Sequence, residues 1–109
     1  MMPGVVAGFP RKAAVTPSAP REFTLALKGY DPNLYYIFEW QPPASGSPPD
    51  GYRVYMRSNN GAYAVQASTT ATSVRVNGVS TGLKQDFYVT AWNSAGESPA
   101  SNVVTAFPS

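Results

Sequence analysis

Acid–base chemistry in this sequence would have to come from six carboxylates, Glu22, Asp31, Glu39, Asp50, Asp86 and Glu97, because neither His nor Cys is present. Their absence removes the commonest general base, the commonest metal ligand and any thiol nucleophile. None of the carboxylates is spaced as a calcium loop requires. Strand alternation sets most of them in turns or on outward faces, where nothing raises a carboxyl pKa towards the range of a general acid. No catalytic residue, metal site or cofactor is expected. The chemistry on offer is recognition. Arg53, Tyr55 and Arg57 alternate with Tyr52, Val54 and Met56, and Tyr88, Thr90 and Trp92 alternate with Phe87, Val89 and Ala91. If the two segments lie side by side as strands, the first-named three of one and of the other share a single face. Arg together with aromatic rings is the composition of interface hot spots. Cross-strand Arg–aromatic stacking equally stabilises an ordinary solvated face, and a Trp92 ring left on the outside tips the reading towards a protein partner. Few amides or carboxylates flank the rings, so only a weak carbohydrate or cell-surface contact is expected there.

The elements that must position this face are legible as period-two segments. Phe23, Leu25 and Leu27 alternate with Thr24, Ala26 and Lys28, the pattern of a strand with one buried face. After the turn chemistry of residues 29–33, Leu34 to Trp40 is a dense aromatic run in which Tyr36, Phe38 and Trp40 share a face, with Trp40 as a core anchor. Residues 41–51 carry four prolines and read as a surface loop. Asn59-Asn60-Gly61 closes a hairpin because Asn and Gly tolerate positive φ, and Gly61 to Ala67 follows as a short edge strand. Val74 and Val76 alternate with Arg75 and Asn77. A corner over Val79 to Gln85 leads into the Phe87 strand, a turn spans Asn93 to Ser98, and a last strand runs through Val103, Val104 and Thr105. Eleven Pro and nine Gly suit many short strands separated by turns. The fold class is all-β, a seven-stranded antiparallel β-sandwich.

Residues 1–18 differ from the rest. Pro3, Gly4, Gly8, Pro10 and Pro17 among Val and Ala frustrate helix and offer no alternation, which predicts an extended N-terminal arm ahead of a domain at 19–109. The arm's contact residues would be Val5, Val6, Phe9, Arg11, Lys12 and Val15, because an extended apolar segment gains by adding to a neighbour's sheet edge or filling its groove. The start lacks a basic n-region, and Val5 to Phe9 is too short for a signal-peptide core or a membrane span. No cleaved export signal and no membrane partner are expected. A net charge of +2, with Arg11-Lys12 as the longest basic run, gives no footprint for nucleic acid.

From Pro17 to Pro108 the chain resembles a fibronectin type III domain. The resemblance rests on Ala19-Pro20 before the first strand, Trp40-Gln-Pro-Pro43 at the end of the second, Gly51-Tyr-Arg-Val-Tyr55 in the third, and Phe87-x-Val-x-Ala-x-Asn93 running into Ala95-Gly-Glu-Ser98. Two positions depart from it. The tyrosine that such domains place two residues before the phenylalanine is Gln85 here, and the corner leucine is Val79, so closure of the corner falls to the Gln85 amide. The resemblance implies a spacer, adhesion module or binding scaffold with no common ligand. The Arg-Gly-Asp tripeptide of some members is absent. Together with the arm, this predicts a non-catalytic structural protein of a virion, decorating a bacteriophage capsid or tail. Its partners would be other virion subunits or copies of itself. The alternative is a spacer or interaction module of a bacterial extracellular enzyme or adhesin.

Overall fold

The computed structural model describes residues 14–107 apart from positions 31, 78 and 80. Every regular element among them is a strand: β1 (Arg21–Lys28), β2 (Tyr35–Gln41), β3 (Gly51–Ser58), β4 (Ala64–Thr69), β5 (Ser73–Asn77), β6 (Gln85–Asn93), β7 (Gly96–Glu97) and β8 (Val104–Ala106). They form two antiparallel sheets. One has the order β1-β2-β5, and the other runs β4-β3-β6-β7 with β8 also on β6.

Between the sheets lies an aromatic core. Phe23, Tyr36, Phe38 and Trp40 come from the three-stranded sheet, and Tyr52, Val54, Phe87, Val89 and Ala91 come from the five-stranded one. The rings interlock across the gap, with centroids 4.8 Å apart for Phe38 and Phe87, and 5.3 Å for Trp40 against Tyr52. Both pairs are tilted or edge-on, the arrangement the ring quadrupole favours. The anticipated inward faces of β2, β3 and β6 are these residues, except that Met56 of β3 is only partly buried at the margin of the core. In β1 the alternation fades: Phe23 is buried, Leu25 packs at the core margin and Leu27 is 45% exposed. A bulge accounts for the irregular start of the strand. Register slips between Arg21 and Thr24, Glu22 takes φ 53°, and the Asn102 side-chain amide pairs with both backbone groups of Phe23 at 3.0 and 2.9 Å.

The expected last strand is β8, and an eighth strand, β7, lies within the segment expected as a turn over Asn93 to Ser98. Pro99 has no N–H to give the ladder, so pairing with β6 breaks between β7 and β8. Two serines fill the gap. The Ser98 N–H donates to the Ala91 carbonyl at 2.7 Å while the Ala91 N–H donates to Ser98 Oγ at 2.9 Å. Ser101 repeats the arrangement on Val89, at 2.9 Å in both directions.

The turn between β3 and β4 is the hairpin anticipated from its residues, with Asn59 and Asn60 at φ 50° and 63° and Gly61 N–H bonded to the Ser58 carbonyl at 2.9 Å. The following strand begins at Ala64, not Gly61. Asn59 also holds the corner before β6, its N–H donating to the Lys84 carbonyl at 2.8 Å. The Gln85 amide, expected to close that corner, is used across the core. Its Oε1 accepts from the Tyr36 hydroxyl at 3.1 Å, and its Nε2 lies 3.4 Å from Met56 Sδ.

Trp40 is 3% exposed, and its indole Nε1 has no hydrogen-bond partner among the described residues. Truncation to Ala removes a core aromatic and should cost about 3–5 kcal/mol. Trp40→Phe removes the same unpaired donor but keeps most of the aromatic volume, so it should cost roughly 1–3 kcal/mol less than that. Urea unfolding of both variants checks this; equal losses would show that the ring retained by Phe contributes nothing to the core.

Candidate binding face

The β3–β6 ladder sets Arg53 opposite Thr90, Tyr55 opposite Tyr88, Arg57 opposite Asp86 and Gly51 opposite Trp92. All six residues expected on the outer sheet face are therefore brought together there. Tyr55 and Tyr88 stack with centroids 4.8 Å apart and an interplanar angle of 22°. Tyr63, which precedes β4, adds a third ring 4.6 Å from Tyr88, and the Arg57 guanidinium sits 4.8 Å above Tyr63. At the other end Arg53 lies 5.1 Å from the centre of the Trp92 ring.

Two carboxylates tie the face together. Glu97 on β7 accepts hydrogen bonds from the Tyr55 hydroxyl and from Thr90 Oγ1, and pairs with Arg53 at 3.6 Å. Asp86 on β6 accepts from Arg57 Nε at 2.8 Å and from Thr105 Oγ1 at 2.6 Å. Each cation on the face thus has its own anion. Two expectations change here. Trp92 is half-buried, and it covers Gly51 so closely that a Cβ there would lie 2.8 Å from ring atom Cζ2. Thr90 is 4% exposed and works as a prop for Glu97. Beside Trp92 a recess of about 270 Å³ is lined by Tyr52, Arg53, Ser68, Thr69 and Thr70.

Tyr63, Asp86, Glu97 and Thr105 were not singled out as face residues by sequence. Asp86 and Thr105 continue the outward parity of their strands, so alternation was a usable signal. Tyr63 and Glu97 flank or occupy turns, where periodicity carries no such information. Of the arm residues, Val5, Val6, Phe9, Arg11 and Lys12 lie outside the described residues. Val15 is 55% exposed, yet its backbone is clipped to the proline-rich loop. Its N–H donates to Ser47 Oγ at 2.8 Å, and its carbonyl accepts from Ser47 N–H at 3.1 Å and Asn93 Nδ2 at 2.9 Å. Gly46, at φ +88°, lies under this segment with no room for a Cβ, which would meet the Thr16 carbonyl oxygen at 2.5 Å.

The hydrogen bonds from Thr105 and then Arg57 hold the Asp86 carboxyl below the ordinary range, against the upward push of burial. For Glu97 burial pushes the pKa up, but the Thr90 and Tyr55 hydroxyls and the Arg53 charge outweigh it and the net direction is down. Burial, followed by the bond to Glu97, raises the Tyr55 hydroxyl. These are carboxylates stabilised in the ionised form, the opposite of what a general acid requires. No three Asp or Glu among the described residues cluster closely enough to hold a metal.

Residues 18–107 match the sequence model of the fibronectin type III domain. The chain belongs to that family. Among solved structures, this fibronectin type III domain is similar to part of titin kinase with its flanking domains, at 20% identity and a TM-score of 0.75, over 87% of this chain and 18% of that one. It is also similar to part of the twitchin kinase region of C. elegans, at 21% identity and a TM-score of 0.71, over 85% of this chain and 17% of the other. A fibronectin type III domain of a human protein aligns at 16% identity and a TM-score of 0.67, covering 84% and 73% of the two chains. At these identities the likeness is one of fold, and the chain spans less than a fifth of the titin and twitchin structures. No curated protein matches the sequence. Members of the family are generally non-catalytic modules that mediate protein–protein interactions in larger assemblies.

Asp86 makes the fold of this fibronectin type III domain acid-sensitive in a defined window. Its folded pKa lies below its unfolded one, so its contribution is complete above the unfolded value of about 3.9 and is lost as pH falls from there through the folded pKa. Asp86→Asn should lower stability at neutral pH by about 1–3 kcal/mol and flatten the acid limb of the stability curve. Urea midpoints from neutrality to the acid limb check this. An unchanged acid limb would mean that the Asp86 pairings contribute nothing.

Proposed function

We propose that this fibronectin type III domain is a non-catalytic binding subunit of a larger protein assembly, and that it meets its partner through the outer face of the five-stranded sheet. The observation that supports this most is the Trp92–Arg53–Tyr55–Tyr88–Tyr63–Arg57 row, whose charges are neutralised by Glu97 and Asp86 and whose rings are held by one another. Such a surface loses little side-chain freedom when covered, and the recess beside Trp92 gives a partner's anchor side chain somewhere to go. A neutral face has no reach towards nucleic acid or a charged lipid surface. Sugar stacking needs free ring faces, and these ring faces are largely taken by one another.

The assembly we propose is a virion, with the chain decorating a bacteriophage capsid or tail. The apolar composition of residues 1–18 supports this, and so does the way Val15 anchors the end of that segment to the domain. In many copies, weak contacts through each face add up. Trypsin cleavage after Arg11 and Lys12, read by mass spectrometry, tests the arrangement on isolated protein and on purified particles. Protection in particles alone is the expected result, and rapid cleavage in both would favour a spacer within an extracellular protein. Trp92→Ala should leave a cooperative thermal transition and weaken attachment to the native partner by roughly thirtyfold, the scale of a hot-spot truncation. Undiminished attachment would exclude this face as the contact.

A further inference from the structure

The two sheets have four edges, and three carry devices that discourage further pairing. β1 has three charged residues, Arg21, Glu22 and Lys28. β5 has Arg75, stacked 3.7 Å over Tyr35. The remaining edge of the five-stranded sheet is divided between β7 and β8, of two and three residues. β4 is the exception. It is six residues long, it bonds to β3 on one side, and no described strand pairs with its other side. The whole stretch Gly61 to Ser73, thirteen residues, contains no charged residue and no proline. Its one irregularity is the extra residue Gln66, where the register with β3 shifts between Val54 and Tyr55.

We infer that β4 is a homotypic edge: two copies of this chain pair β4 against β4 in antiparallel fashion, centred near Gln66, and fuse their five-stranded sheets. A two-fold axis places the same uncharged strand on both sides, so no like charges face each other. The outer face supports the same occupant. Val65 sits opposite Tyr55, which sits opposite Tyr88, so the row Tyr88–Tyr55–Val65 runs straight to the edge and ends on a side chain that is 52% exposed. Across the two-fold axis the row continues into its copy. Because Arg53 and Arg57 are already paired within each copy, the joined faces do not repel. This inference goes beyond the outer-face proposal and does not need the virion.

Sedimentation velocity of the full chain from low micromolar to millimolar concentration tests it, with hydrogen exchange of Ala64–Thr69 recorded at both ends of the range. A dimer is expected, with those amides slowing as it forms. Val65→Lys and Gln66→Lys, both at exposed positions, should weaken it roughly tenfold or more, while Asn77→Lys on the β5 edge leaves it intact. Thermal melting of each variant shows that the domain itself is unaltered. A chain that stays monomeric throughout, or a dimer indifferent to both β4 variants, overturns the inference. So does a dimer abolished by Val6→Asp with Phe9→Asp, which would give the edge to the arm instead of to a second β4.

Discussion

Phe38 and Phe87 meet across the middle of the sandwich, 4.8 Å between ring centroids, in a chain with no cysteine to staple its sheets. Everything outside follows from which way these two rings point. A strand repeats every two residues, so anchoring Phe38 inward also sends Tyr36 and Trp40 inward, and anchoring Phe87 commits Val89 and Ala91. The same parity expels Tyr88 and Trp92 from β6. Through the β3–β6 register it aligns Tyr55 with Tyr88 and Arg53 with Thr90. A slip of one residue would drive Arg53, Tyr55 and Arg57 into the core, a cost far beyond what a domain of this size can absorb.

The outer face that results is charged in composition and neutral in effect. Arg53 and Glu97 are only partly shielded, with side chains 37% and 34% exposed, so their attraction alone contributes little. What matters is that Glu97 also accepts two hydroxyl bonds, from β3 and β6. It therefore locks side chains of two strands from a third. Asp86, at 5% side-chain exposure, does the same for Arg57 and for Thr105 on β8. Two carboxylates with neither catalytic nor metal-binding geometry thus make the face rigid.

Most of the sandwich was legible because its signal is local. β2, β3 and β6 are long, strongly alternating segments, and the Asn59-Asn60 turn chemistry fixes a backbone conformation by itself. What was hidden depends on partners far along the chain. The Glu22 bulge is read only with Asn102 beside Phe23, 79 positions away in sequence. Thr90 follows the outward pattern faithfully and is still buried, its hydroxyl donating to Glu97 on the short strand β7. Gln85 was visible as a departure, but its bond to Tyr36 crosses from one sheet to the other. Tyr63 lies within the strand expected over Gly61 to Ala67, but β4 starts only at Ala64 and its register breaks at Gln66, so alternation along that segment does not fix the direction of the ring.

The break between β7 and β8 has a mechanical meaning. Tension applied at the C-terminal end reaches β8 first, which is held to β6 only through Gln85, Asp86 and Phe87. Behind it stand the Ser101 and Ser98 bridges, and behind those the short β7 pairing with Trp92 and Asn93. Pro99 keeps these segments from acting as one continuous ladder. The stages are therefore held separately, and β8, the first that such tension reaches, carries Val104 and Ala106 at the margin of the core.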